Sequence, residues 1–273
     1  MSENNCSGNC ASCSSNCADR REESLLVPTG EYNSIKHTVA VISGKGGVGK
    51  SAVTSMLAVS LCRKGYKVGI LDADITGPSI PKAFGINTKA MQNEIGILPA
   101  ETKNGIKIIS VNMMLEDGEQ PVVWRGPVIA GLVKQFWTDV VWGELDYLLI
   151  DCPPGTGDVP LTVFQSIKLD GAVVVTSPQD LVSLIVKKAL NMAKMMNVNV
   201  VGIVENMSYV VCPDCGKEFS VFGQSSSSYD DSDAKLLGRL PIDPSLAAMI
   251  DNGMVERFES DCLSNAVSEI EKL

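Results

Sequence analysis

Gly44-Lys45-Gly46-Gly47-Val48-Gly49-Lys50-Ser51 has the spacing G-x-x-x-x-G-K-S. Phosphate binding calls for that pattern: a glycine-rich loop lets successive backbone N–H groups wrap the phosphates. Lys50 brings a point charge to the β- and γ-phosphates, and the Ser51 hydroxyl ligates Mg²⁺. ATP with Mg²⁺ is therefore the expected ligand, and Gly44 through Ser51 the expected cradle. Hydrolysing a phosphoanhydride also needs a carboxylate for the metal and a group that positions water. Asp151 ends the apolar run 147–151 and suits the first role, holding the metal directly or through water. The segment Pro153-Pro154-Gly155-Thr156-Gly157-Asp158 then combines stiffness with close backbone approach to a γ-phosphate. In Asp72-Ala73-Asp74-Ile75-Thr76-Gly77-Pro78-Ser79, Asp74 is expected to act on the attacking water and Asp72 to stand in the metal's outer shell.

The second candidate chemistry is thiolate ligation. Of nine cysteines, Cys212 and Cys215 form a C-x-x-C pair, and Cys6, Cys10, Cys13 and Cys17 form C-x3-C-x2-C-x3-C near the N-terminus. A lone pair fills two positions of a tetrahedral site. It could be completed by a symmetry-related pair in a twofold dimer or by the N-terminal cysteines; alternatively it could work as a metal-free redox dithiol. The dithiol ranks last, because the pair follows a strand and does not open a helix as redox motifs do. The N-terminal four could hold a cluster or Zn²⁺ by themselves. Cys62, Cys152 and Cys262 are isolated, and each is expected to be a small buried hydrophobe. The methionines at 192, 195 and 196 are read as core filler, and His37, the one histidine, as lying ahead of the first strand without a partner.

These residues need a scaffold of strands and helices. Apolar runs at 38–42, 68–72, 106–110, 147–151, 172–176 and 200–204 read as buried strands. Helical patterns cover 50–64, 127–140 and 181–196. Alternation of this kind gives an α/β domain, a mostly parallel sheet with helices on both faces, in which ligands bind beyond the carboxyl ends of the strands. Residues 1–24 are Ser/Asn/Cys-rich without apolar periodicity and form a tail, a possible metal site, while residues 25–273 form one nucleotide-binding domain whose C-x-x-C loop lies near 209–223. The polar stretch 225–233 reads as a surface loop. The chain has 273 residues, 45% of them hydrophobic, and a net charge of −9. That charge argues against a nucleic-acid partner, which would call for a basic stripe. No run approaches the roughly 20 apolar residues of a membrane helix, and the first 24 residues lack a signal-type segment. A cytoplasmic protein without membrane or nucleic-acid partners is expected.

The form G-K-G-G-V-G-K-S resembles the deviant Walker-A group of P-loop ATPases. Together with the loops at 72–79 and 151–158, Gln120-Pro121-Val122-Val123-Trp124-Arg125-Gly126-Pro127, Glu205-Asn206-Met207-Ser208 and Leu240-Pro241, it is similar to the Mrp/ApbC-type iron–sulfur cluster carriers. The resemblance implies that Lys45 crosses a homodimer interface to the partner's nucleotide and that Asn206 reads the base. It also implies that Cys212 and Cys215 share a [4Fe-4S] cluster across the dimer axis, for delivery to apo iron–sulfur proteins with slow ATP hydrolysis. Two rivals remain: a partitioning or positioning ATPase acting as a nucleotide-dependent scaffold, and an ATP-driven electron donor. The second would place its cluster cysteines singly on separate loops.

Overall fold

The computed structural model describes residues 25–74, 79–114, 126–178, 180–222 and 234–273. Cys6, Cys10, Cys13 and Cys17, residues 75–78 of the Asp72 loop, residues 120–125 and the polar stretch 225–233 lie outside the described residues.

In chain order the strands are β1 (Ser34–Ser43), β2 (Val68–Asp72), β3 (Met91–Gln92), β4 (Ile97–Leu98), β5 (Ala100–Glu101), β6 (Lys107–Ser110), β7 (Glu144–Asp151), β8 (Gly171–Thr176), β9 (Val200–Val211), β10 (Glu218–Phe219) and β11 (Leu236–Pro241). The helices are α1 (Lys50–Arg63), α2 (Ser79–Ala83), α3 (Gly126–Thr138), α4 (Asp158–Ser166), α5 (Asp180–Met195), α6 (Pro244–Asp251) and α7 (Ser264–Ile270). The main sheet runs β10-β9-β8-β1-β7-β2-β6-β5, with β11 also on β9. Within this sheet the described pairings are parallel from β11 to β6 and antiparallel where the short strands β5 and β10 join; β3 and β4 form a separate antiparallel pair.

Every residue of β2 and β8 is buried, as expected for parallel strands covered on both faces. Side chains alternate between two apolar layers: Ala40 and Ile42 of β1 pack with α3, α4 and α5, whereas Val39 and Val41 pack with α1, α2, α6 and α7. The register also brings the polar strand ends to one level, since Asp72 pairs with both Asp151 and Ser110, and Thr176 with Glu205. The chemistry assembles at that edge.

Several local expectations need correction. His37 lies within β1 and stacks on Tyr147 at 5.3 Å between ring centroids, so it has a structural partner. Cys152 is fully buried, but Cys62 and Cys262 only border the core. Met192 is buried, whereas Met195, at the end of α5, is 78% exposed. Helices α4, α6 and α7 and strand β11 were not anticipated; the helices have nine, eight and seven residues, too short for a periodic pattern to stand out.

Candidate active site

The loop between β1 and α1 takes its shape from two left-handed glycines, Gly47 (φ 79°) and Gly49 (φ 78°). Gly49 is also required sterically, because a Cβ there would fall 2.1 Å from Asn206 Nδ2. Helix α1 begins at Lys50 with Gly49 as its N-cap, no side-chain cap and no acidic residue in its first turn. Its first amide groups and the positive end of its dipole are thus free to face an anion. A cleft of about 320 Å³ opens there, lined by Ser43, Lys45, Gly46, Lys50, Asp74, Pro154 and Ile250 among others.

Lys50 is the pivot. Its Nζ is buried 2.8 Å from Asp151 Oδ2 and 3.4 Å from Asp74 Oδ2. Both are ion pairs; the contact to Asp151 is short enough to help hold the ammonium charged but lies outside ordinary hydrogen-bond alignment, and among the described residues Nζ is the buried side-chain polar atom without a well-aligned bond. Burial works against the ammonium, yet the charges of Asp151 and Asp74 outweigh it and its pKa is raised. A buried cation with unmatched N–H donors in a glycine-lined cradle suits a phosphate. Asp151 is fully buried and accepts from Ser51 Oγ at 2.6 Å and from Thr54 Oγ1 at 2.7 Å. Hydroxyl and carboxylate oxygens from Ser51 and Asp151 make a donor set suited to Mg²⁺.

Asp72 accepts from Ser110 Oγ at 2.8 Å and from the Asp74 amide at 3.1 Å. Burial, then the Asp151 charge, push its pKa well above the ordinary carboxylate range. Asp74 instead lines the cleft, so the two carboxylates have different surroundings. On the other side Gly155 (φ 87°) donates its amide to the Ser43 carbonyl at 2.8 Å, and Pro154 lies against Gly46, bringing the 153–158 turn onto the loop. Lys45 is exposed at the rim. Thr54 and Ser110 escaped the sequence reading. Thr54 was legible in principle, one helical turn beyond Ser51 on the same face; Ser110 becomes relevant only through strand register.

Asn206 sits in β9, 6% exposed, and its Nδ2 donates to the Val48 carbonyl at 2.9 Å. In this structure its side chain therefore touches the phosphate loop. Strand β9 runs on to Val211, seven residues past the expected end at Val204, and carries Cys212 and Cys215 in the turn before β10. The turn is closed by the Cys212 amide on the Lys217 carbonyl at 3.0 Å and the Gly216 amide on the Cys212 carbonyl at 2.9 Å. Amides of Cys215 and Asp214, with the Cys215 thiol, point at Cys212 and lower its pKa. Cys215 is exposed. Among the described residues no group of three or more Cys, His, Asp or Glu side chains is arranged to hold a metal ion, so the pair by itself falls short of a metal site. The exposed apolar side chains of Val211, Phe219, Val221 and Phe222 belong to the same hairpin region. A second cleft, about 400 Å³ between α1 and α7, lies away from these groups, and its Lys64 is paired with Glu271 at 2.7 Å. No helix among the described residues is long and apolar enough to cross a membrane.

Residues 34–273 match the ParA family described as the NUBPL iron-transfer P-loop NTPases. An iron-sulfur cluster carrier protein of Clostridium perfringens is 47% identical over 272 residues, covering 93% of this chain and 95% of the relative. The cytosolic Fe-S cluster assembly factor CFD1 of Saccharomyces cerevisiae is 40% identical over 267 residues, covering 92% of this chain and 91% of the relative. Among solved structures, a nucleotide-binding protein from Archaeoglobus fulgidus in complex with ADP superposes with a TM-score of 0.74 at 46% identity, covering 83% of this chain and 90% of that one.

Proposed function

This chain belongs to the NUBPL iron-transfer P-loop NTPases, and on that premise we propose that it is a homodimeric ATPase that carries a [4Fe-4S] cluster on Cys212 and Cys215 and delivers it to apo iron–sulfur proteins. The observation that carries the reading is that one strand, β9, touches the phosphate loop through Asn206 and ends at the thiol pair. Two thiolates need two more, and a twofold axis at the hairpin would bring them. The exposed apolar side chains around the turn would then be covered by the second copy. Relatives at 40–47% identity bear iron–sulfur carrier or assembly names, which supports the carrier class.

In this mechanism the loop amides and Lys50 neutralise the ATP phosphates. Ser51 and Asp151 would hold Mg²⁺, which supplies charge to the β- and γ-phosphates. Asp74 orients the attacking water and accepts its proton, while buried Asp72 fixes the Asp74 backbone through the amide contact at 3.1 Å. Lys45, exposed at the rim, reaches the partner's nucleotide, and a remaining Asn206 amide hydrogen reads the base. Hydrolysis is slow because dimer contacts complete the site. An exposed Cys215 leaves the cargo accessible to an acceptor.

Transfer itself tests the reading. Cluster-loaded protein is mixed anaerobically with an apo-enzyme whose activity requires a [4Fe-4S] cluster, with Mg²⁺ and either ATP or no nucleotide. Acceptor activity should appear, at a rate that depends on ATP. A loaded protein that leaves the acceptor inactive under every nucleotide condition would refute delivery.

A further inference from the structure

Between Asn206 and Cys212, β9 is irregular. Arg239 of β11 pairs with Glu205, and Pro241 pairs with Tyr209, so a step of two residues on β11 matches a step of four on β9. The surplus is a bulge centred on Met207, whose φ of 56° is one that side chains other than glycine adopt only when their surroundings impose it. What imposes it is visible. Glu205 is fully buried, accepts from Ser208 Oγ at 2.5 Å across the bulge and faces Arg239 Nε at 3.4 Å. A carboxylate removed from water is stable there only while such partners are held, so the chain is pinned on both sides of Asn206 and Met207.

The bulge is in turn wedged against the phosphate loop. Asn206 Nδ2 bonds the Val48 carbonyl, Asn206 Oδ1 accepts from the Met207 amide at 2.9 Å, and the space over Gly49 is already filled by Asn206. A shift of Val48 or Gly49 as phosphates enter must therefore move Asn206. Beyond the bulge, Tyr209 is tied to β11's end through the Ile242 amide at 2.8 Å, and Cys212 follows three residues later.

We propose that the β9 bulge, clamped by Glu205, Ser208 and Arg239, is the device through which nucleotide at the phosphate loop and metal at Cys212 and Cys215 set each other's affinity. The proposal rests on the carrier reading for its second ligand. Linkage is reciprocal, so an effect of ATP on the metal must equal the effect of the metal on ATP.

The test is a titration of full-length protein with Mg²⁺ and a non-hydrolysable ATP analogue, in the metal-free and cluster-loaded forms. In the wild type the two dissociation constants should differ by about fivefold or more. Ser208→Ala should bring the ratio to one, with cluster content and binding by the metal-free form unchanged; Ser208→Thr, which keeps the hydroxyl, should preserve the ratio. Should Ser208→Ala fail to fold, Arg239→Met, altered from the half-exposed side of the clamp, must give the same collapse. Iron and sulfide analysis before nucleotide is added separates the two hypotheses: no cluster refutes the carrier reading. The titration is then run with Zn²⁺, which two C-x-x-C pairs ligate tetrahedrally. An equal affinity of the two wild-type forms, or a ratio in Ser208→Ala matching the wild type, overturns the coupling proposal.

Discussion

Lys50, Asp74 and Asp151 converge within a few ångströms although the sequence separates them by up to about a hundred residues, and their roles differ enough to be tested singly. Lys50→Ala removes the charge on the phosphates and should abolish tight ATP binding in calorimetric titration; retained wild-type affinity would mean that nucleotide binds elsewhere. Asp74→Asn should keep ATP affinity and lower turnover by about 10²- to 10⁴-fold, the usual range for a lost general base. Phosphate release in a steady-state assay checks it, and unimpaired turnover would move the role away from Asp74. The thiols provide a pH-dependent prediction. The amides of Cys215 and Asp214 lower the Cys212 pKa, so its thiolate, the reactive form, should persist to lower pH than an ordinary cysteine's. Cys62 is raised by burial and by Glu256, and buried Cys152 is pushed up to about 12. Alkylation of metal-free protein across pH 6 to 9, read by peptide mass, should label Cys212 before Cys62 and leave Cys152 unlabelled. Earlier labelling of Cys62 would contradict the described turn.

At the scale of elements, the phosphate loop and the strand ends were legible because their signals are local. A glycine spacing, an apolar run and a terminal aspartate each lie within ten residues. What stayed hidden depends on register or on broken patterns. The apolar run expected as this strand stops at Val204, yet β9 continues because Glu205 is satisfied by Ser208 and Arg239. Ser110 meets Asp72 only through the β2–β6 pairing. Gly49 shows how two elements constrain one residue, having a left-handed φ and Asn206 where a Cβ would go. Gly49→Ala should therefore impair ATP binding while the sheet remains folded. Gly49→Ala combined with Asn206→Gly relieves the clash but not the strain, so it should recover only part of any lost thermal stability. Scanning calorimetry with nucleotide titration distinguishes these outcomes, and an unaffected Gly49→Ala protein would show that the loop tolerates a side chain there.

For the whole molecule, the alternation of strands and helices anticipated a sheet covered on both faces, and two apolar layers separated by the sheet bear it out. The pairing of distant edges was not legible: nothing in the spacing of β9, β10 and β11 announces that they share one side of the sheet with the thiol turn between them. Carrying the cluster requires that turn to meet a second copy of the chain, since two thiolates per chain hold a [4Fe-4S] cluster only when four are brought together. The direct measurement is iron and sulfide per chain, with molar mass by light scattering, after anaerobic reconstitution of full-length protein in which Cys6, Cys10, Cys13 and Cys17 are serine, with and without Cys215→Ala. A bridging cluster predicts about two irons and two sulfides per chain in a dimer when Cys215 is present, and loss of both the cluster and cluster-dependent dimerisation when it is replaced. Equal iron and sulfide in the two proteins would contradict it.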